Sequence, residues 1–178
     1  MNRVPARLWD FPSAAILILL VLETSERLVA TQWAPGLGAA VVLAVIGVVL
    51  GLALGFSQFK RTAILWFSIG FSIPIILLVL GWSFYARISW LERLAALSNR
   101  LAASLGLFIK ARPVHDTVLF VVFMALVFWI IGLMAGYSLT RFGNFIAAVV
   151  PAGAVLVTIH LYDAGNKSGN VLLFLYFL

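Results

Sequence analysis

Three places in this sequence hold side chains whose types and spacing could do chemistry. Within VLETSERLVATQW, residues 21–33, Glu23, Glu26 and Arg27 interrupt an apolar run. Glu23 precedes Arg27 by four residues, the orientation that favours an ion pair along one helix face. His115 adjoins Asp116, and His160 lies three residues before Asp163. Imidazole and carboxylate together are the ingredients of a metal site or an acid–base pair. Two histidines on separate segments, without a close motif, read instead as hydrogen-bonding groups near helix ends. No metal ligand and no cofactor is assigned. The chain has no cysteine, which excludes a thiolate ligand, a disulfide and a cysteine nucleophile. It also lacks a glycine-rich phosphate loop, an acidic pair of catalytic spacing and a nucleophile elbow. No residue is assigned as catalytic.

The elements that must position these groups are membrane helices. Of 178 residues, 64% are hydrophobic and 10% charged, against roughly a quarter charged in a soluble domain. Such a chain is expected to be an integral membrane protein. About 20 apolar residues cross ~30 Å of hydrocarbon. Five segments meet that length: 11–30, 36–55, 62–85, 117–139 and 145–162. A sixth begins near Asn170 and reaches only Leu178, about 12 Å of helix, too short to span. The expected class is all-α, a polytopic bundle of five spans and a partial sixth forming one domain over 1–178. A chain ending inside the bilayer leaves carbonyls unpaired in lipid, so it reads as the front part of a longer protein. Arg3 and Arg7 before AAILILLVL have the outline of a secretory signal. ETSERL follows directly, without a small-residue cleavage site, so the segment reads as a permanent span.

Small residues recur where helices should meet. Gly47, Gly51 and Gly55 stand at four-residue spacing, extended upstream by Ala40 and Ala44, and Gly132 and Gly136 repeat the pattern. Such rows let two helix backbones approach closely. Packing inside the bundle is the primary expectation, self-association the alternative. Pro74 and Pro151 fall inside the third and fifth segments, where each removes a backbone donor and should bend its helix.

The loop at 86–112 contains a helix of a different kind. Ser89 and Glu92 form a capping-box pattern. Trp90, Leu94, Leu97, Leu101, Leu105 and Phe108 follow at three- and four-residue steps, with Glu92, Arg93, Asn99, Arg100 and Ser104 on other faces. This is an amphipathic helix, expected along the membrane surface or over the mouth of the bundle.

With a cytoplasmic N-terminus, Arg3, Arg7, Lys60, Arg61 and Arg141 lie inside. Arg27, Lys167 and the loop cations Arg87, Arg93, Arg100, Lys110 and Arg112 lie outside. The raw count opposes the positive-inside rule; without the loop cations, which can follow headgroups on either face, it supports it. The net charge of +6 is expected to meet anionic lipid, not nucleic acid. The second, third and fourth segments hold no Asp, Glu, Lys, Arg or His, which argues against ion coupling through the bundle centre. Glu23 falls roughly 18 Å and Arg27 roughly 24 Å along a helix crossing ~30 Å. Glu23, Glu26 and Arg27 therefore read as a charged outer collar, with Glu26 facing water, headgroups or a cation.

From Trp33 onward the pattern becomes more specific. QWAPGLG, GLALGFSQFKR, WLERLAAL and the run from His115 to Tyr162 resemble the N-terminal membrane region of bacterial membrane-bound transglutaminase-like proteins. The pieces that carry the likeness are Asp116 with Leu119–Phe120, Trp129 with Gly132, Arg141, and Pro151–Gly153 ending at Tyr162. The resemblance implies a bundle of six or seven helices in the bacterial cytoplasmic membrane, followed by an extracytoplasmic domain with a Cys-His-Asp triad. No triad residue carries over: cysteine is absent, and neither His115 nor His160 falls in a matching motif. The expected role is a non-catalytic anchor and scaffold. Its partners would be membrane lipids and a C-terminal domain or other subunits. The rival readings are an accessory subunit of a respiratory or photosynthetic complex and a small transporter or channel.

Overall fold

A computed structural model describes residues 11–85, 87–163 and 175–177. The described part is all-helical. Its helices are α1 (Phe11–Ala30), α2 (Gly38–Phe56), α3 (Arg61–Phe84), α4 (Trp90–Ile109), α5 (Val118–Phe142) and α6 (Phe145–Tyr162). Four of them, α2, α3, α5 and α6, are long and apolar enough to cross a membrane. The chain is thus a membrane-type helix bundle. α1 has comparable length but carries Glu23, Glu26 and Arg27. The expected sixth segment, apart from 175–177, lies outside the described residues, as do Arg3, Arg7 and Lys167.

The centre of the bundle is the pair α2–α5. In lipid, backbone polar groups must pair within the helix, so the glycines of α2 are free to serve packing. A Cβ on Gly47 would stand 2.8 Å from the Trp129 carbonyl oxygen. On Gly51 it would collide with the Leu133 carbonyl, and on Gly55 with the Thr140 hydroxyl. Gly132 and Gly136 are equally blocked by the carbonyls of Ala44 and Val48. The glycine rows of the two helices therefore face each other, as expected for packing inside the bundle. The Thr140 hydroxyl bonds the Gly136 carbonyl at 2.9 Å, beneath Leu52 of α2. Contacts advance in step along both helices, 44 with 132, 48 with 136 and 52 with 140, so α2 and α5 run parallel.

α1 and α6 pack on this pair and on each other. Leu17, Val21, Leu28, Phe128, Ala152 and Leu156 are fully buried there. The turn into α6 is two residues long. Gly143 takes φ 63° at the end of α5, the left-handed cap that suits glycine. Asn144 then caps α6 by accepting from the Ala147 N–H at 2.9 Å. Arg141 reaches the neighbouring α2–α3 loop and donates to the Ser57 carbonyl at 3.0 Å. α3 stands at the edge: only Ile64, Val79, Leu80 and Gly81 are buried. It is tied inward by Trp129, whose indole N–H donates to the Ser72 hydroxyl at 2.8 Å. Pro74 and Pro151 lie inside unbroken helices.

Candidate functional site

The groups singled out in the sequence gather at one end of the bundle, where α1, α3 and α6 finish and α5 begins. Two sites form there.

The first joins α1 to α6. Thr24, Ser25 and Arg27 are wholly buried on α1. The two hydroxyls satisfy themselves within the helix, bonding the carbonyls of Leu20 and Leu22 at 2.9 and 2.8 Å. Arg27 instead crosses to the end of α6, where its Nη2 lies 2.7 Å from Asp163 Oδ2. This corrects the sequence expectation of a Glu23–Arg27 pair; no such ion pair exists among the described residues. The physical reason is the end of α6. Its last carbonyls carry the negative end of the helix dipole, and Asp163 adds a full charge at the same spot. Arg27 is 0% exposed and Asp163 22%, so the contact is buried between α1 and α6. Glu26 is exposed and Glu23 half-buried.

The joint is chemically incomplete. Arg27 Nε and Nη1 and His160 Nδ1 are buried without a hydrogen-bond partner. Asp163 Oδ2 meets Arg27 by charge, without hydrogen-bond alignment. The pair is neutral as a unit, so it can hold two helices together in a medium where a lone charge is costly.

The second site docks α4. Asp116, two residues before α5, accepts from Arg100 Nε at 2.6 Å and Nη2 at 2.7 Å. The Val118 N–H donates to the same carboxylate at 2.9 Å. The Arg100 hydrogen bonds, followed by that of Val118, hold the Asp116 carboxyl below the usual carboxylate range despite some burial. The same contact raises the already high pKa of Arg100. Arg100 also lies over the Phe84 ring, and Arg93 over Trp82. A bidentate guanidinium–carboxylate contact fixes orientation as well as distance. It is a latch between the middle of α4 and the start of α5.

The capping box of α4 is present: the Ser89 N–H donates to Glu92 Oε2 at 3.1 Å, and the Ser89 side chain meets the third-residue backbone. The apolar stripe expected from the sequence divides, however. Leu97 is buried and Leu94 and Leu101 are half-buried, while Trp90, Leu105 and Phe108 are exposed. Ser104, expected on a polar face, is buried instead. The bundle covers Leu97 and Ser104 fully and the neighbouring positions in part.

Between α5 and α6 a groove of about 870 Å³ opens beside Trp33, lined by Phe120, Phe123, Met124, Val127 and Tyr162. Its lining is apolar and suits hydrocarbon. Among the described residues no three His, Asp or Glu side chains gather as metal ligands would. His115 is exposed beside the latch. Comparisons with protein families, curated proteins and solved structures return no match.

Proposed function

We propose that this chain is a membrane anchor and scaffold, non-catalytic in itself, as its resemblance to the membrane region of transglutaminase-like proteins implies. The observation that supports it best is the α2–α5 seam. Two helices in backbone contact along three turns form a rigid post, suited to holding position and not to opening a path. In this reading α1 is a fifth span, the N-terminus is cytoplasmic, and the membrane is the bacterial cytoplasmic one. Both charged joints then sit at the outer face, where an extracytoplasmic domain or partner would stand.

Fusions test this directly. Alkaline phosphatase placed after Asp163 or at Arg87 is expected to be active, and placed after Gln58 inactive. All three fusions should resist alkaline carbonate extraction. Reversed phosphatase activities would overturn the orientation, and release by carbonate would overturn the anchor.

A second reading, an accessory subunit of a larger membrane complex, is favoured by α3. Its apolar residues Leu65, Trp66, Ile69, Ile73 and Leu78 are exposed along most of the helix. Recovery of the chain from native membranes in stoichiometric complex with other subunits would support that reading over the anchor.

A further inference from the structure

α4 carries a face that the bundle does not use. Residues 91, 95, 98, 102, 105 and 109 follow at alternating four- and three-residue steps, so they form one continuous row. Every one is exposed. The row is Leu-Ala-Ser-Ala-Leu-Ile, and Leu91, Leu105 and Ile109 are 78%, 48% and 73% exposed. It lies beside the row that seats α4 on the bundle, Leu97, Leu101 and Ser104. On its other side runs a polar flank with Glu92, Asn99 and Lys110, also exposed. α4 thus has three faces: one for protein, one apolar and uncovered, one polar.

Topology says where this helix lies. α2 and α5 run parallel, so an odd number of membrane crossings separates them. α3 is apolar and long enough to supply one crossing. α4 cannot then add a second, and it must stay on one side, between the exit of α3 and the entry of α5.

The charges around it are mostly positive. Glu92 is engaged in the cap and Asp116 in the latch. Arg87, Lys110 and Arg112 are exposed and make no ion pair among the described residues. Cations at both ends of an apolar row, with no free carboxylate on α4, complement an anionic lipid surface.

We propose that α4 lies in the headgroup layer of the bilayer. Its row Leu91–Leu105–Ile109 enters the acyl boundary, and Arg87, Lys110 and Arg112 take the phosphates of anionic lipids. The proposal rests on the membrane reading above and adds the residues that enter the leaflet and those that meet its anionic headgroups. The surface is an adhesive pad for the leaflet, not a groove for a peptide.

Because the chain has no native cysteine, single labels report cleanly. The full chain is placed in nanodiscs of phosphatidylcholine alone, or of equal parts phosphatidylcholine and phosphatidylglycerol. Spin labels at Leu105→Cys, Asn99→Cys and Ile69→Cys are read for access to oxygen, which favours lipid, and to a nickel chelate, which favours water. The expected result is lipid at Leu105→Cys and water at Asn99→Cys. The Leu105→Cys label should sit deeper in the anionic discs. Arg87→Gln, Lys110→Gln and Arg112→Gln together should abolish that difference. Equal water access at Leu105→Cys and Asn99→Cys would overturn the proposal, and so would a depth indifferent to lipid charge. A Leu105→Cys label shielded from both reagents would overturn it in favour of a protein partner. Water at Ile69→Cys, on the outer side of α3, would instead refute the membrane reading itself.

Discussion

Adding one methyl group at Gly51 gives a sharp measure of the α2–α5 seam. A Cβ there meets the Leu133 carbonyl and the Tyr137 amide nitrogen. Both are backbone atoms of a regular helix, so neither can rotate away and the helices must part. Overpacking of this kind costs about 1–3 kcal/mol. Alanine also has an intrinsic helix preference over glycine of roughly 1 kcal/mol, which masks part of that cost. Gly70 on α3 supplies the control, because a Cβ there meets nothing within 4 Å. Subtracting Gly70→Ala from Gly51→Ala removes the preference and leaves the packing cost. The expected difference in unfolding constant is roughly 5- to 150-fold. The assay is reversible unfolding by SDS in mixed micelles, followed by far-UV circular dichroism. Equal effects of Gly51→Ala and Gly70→Ala would refute the backbone contact. A second arm adds Gly136→Ala, whose Cβ would meet Val48, Leu52 and Gly51 itself. Once the helices have parted, the second methyl should cost less, so the double variant should fall short of the sum by about 0.5 kcal/mol or more.

Asp163→Ala leaves Arg27 buried and uncompensated and should cost about 3–5 kcal/mol, while Arg27→Met with Asp163→Asn should recover most of it in the same assay. Because the Asp116 carboxyl is held below its usual range, the latch is at full strength at neutral pH and loosens only as pH falls through that lowered value; hydrogen exchange along α4 should show protection persisting through the ordinary carboxylate range, and Asp116→Asn should weaken it at every pH. Trp129→Phe removes the bond to Ser72 and should lower stability by about 1 kcal/mol, with faster labelling of cysteines placed on the inner side of α3. Tyr176→Phe removes the bond from its hydroxyl to the Val149 carbonyl, 2.7 Å long, and should cost a similar ~1 kcal/mol.

The elements were legible because hydropathy and helix-end chemistry are local. The expected segment 11–30 coincides with α1 and 145–162 with α6, and the others agree within a few residues. Ser89 and Glu92 announced α4 through a cap that needs only four residues of sequence. The glycine rows were legible as packing surfaces, since their spacing sets the face, and their matching pattern in α5 pointed to each other. The charged joints were not. Glu23 and Arg27 satisfy a local rule, yet Arg27 pairs with a residue 136 positions away, because the end of α6, with its dipole and Asp163, is a stronger attractor than the Glu23 carboxylate on the same helix. Arg100 and Asp116 meet only because the chain folds back between α4 and α5. Periodicity marked α4 as amphipathic but could not divide its apolar residues between two neighbours, for one apolar stripe looks alike whether it meets protein or something else.

The parallel run of α2 against α5 also sets an order of events during synthesis. Leu52 and Thr140, which meet across the seam, are 88 residues apart. At roughly 5–20 residues per second, the ribosome needs several seconds to make the second after the first. For that interval α2 has no partner for its glycine face, and α3 and α4 are made and placed before it arrives. The central pair is therefore complete only after α3 and α4 have been made. Truncation anywhere before α5 would leave the glycine face of α2 without the helix that fills it.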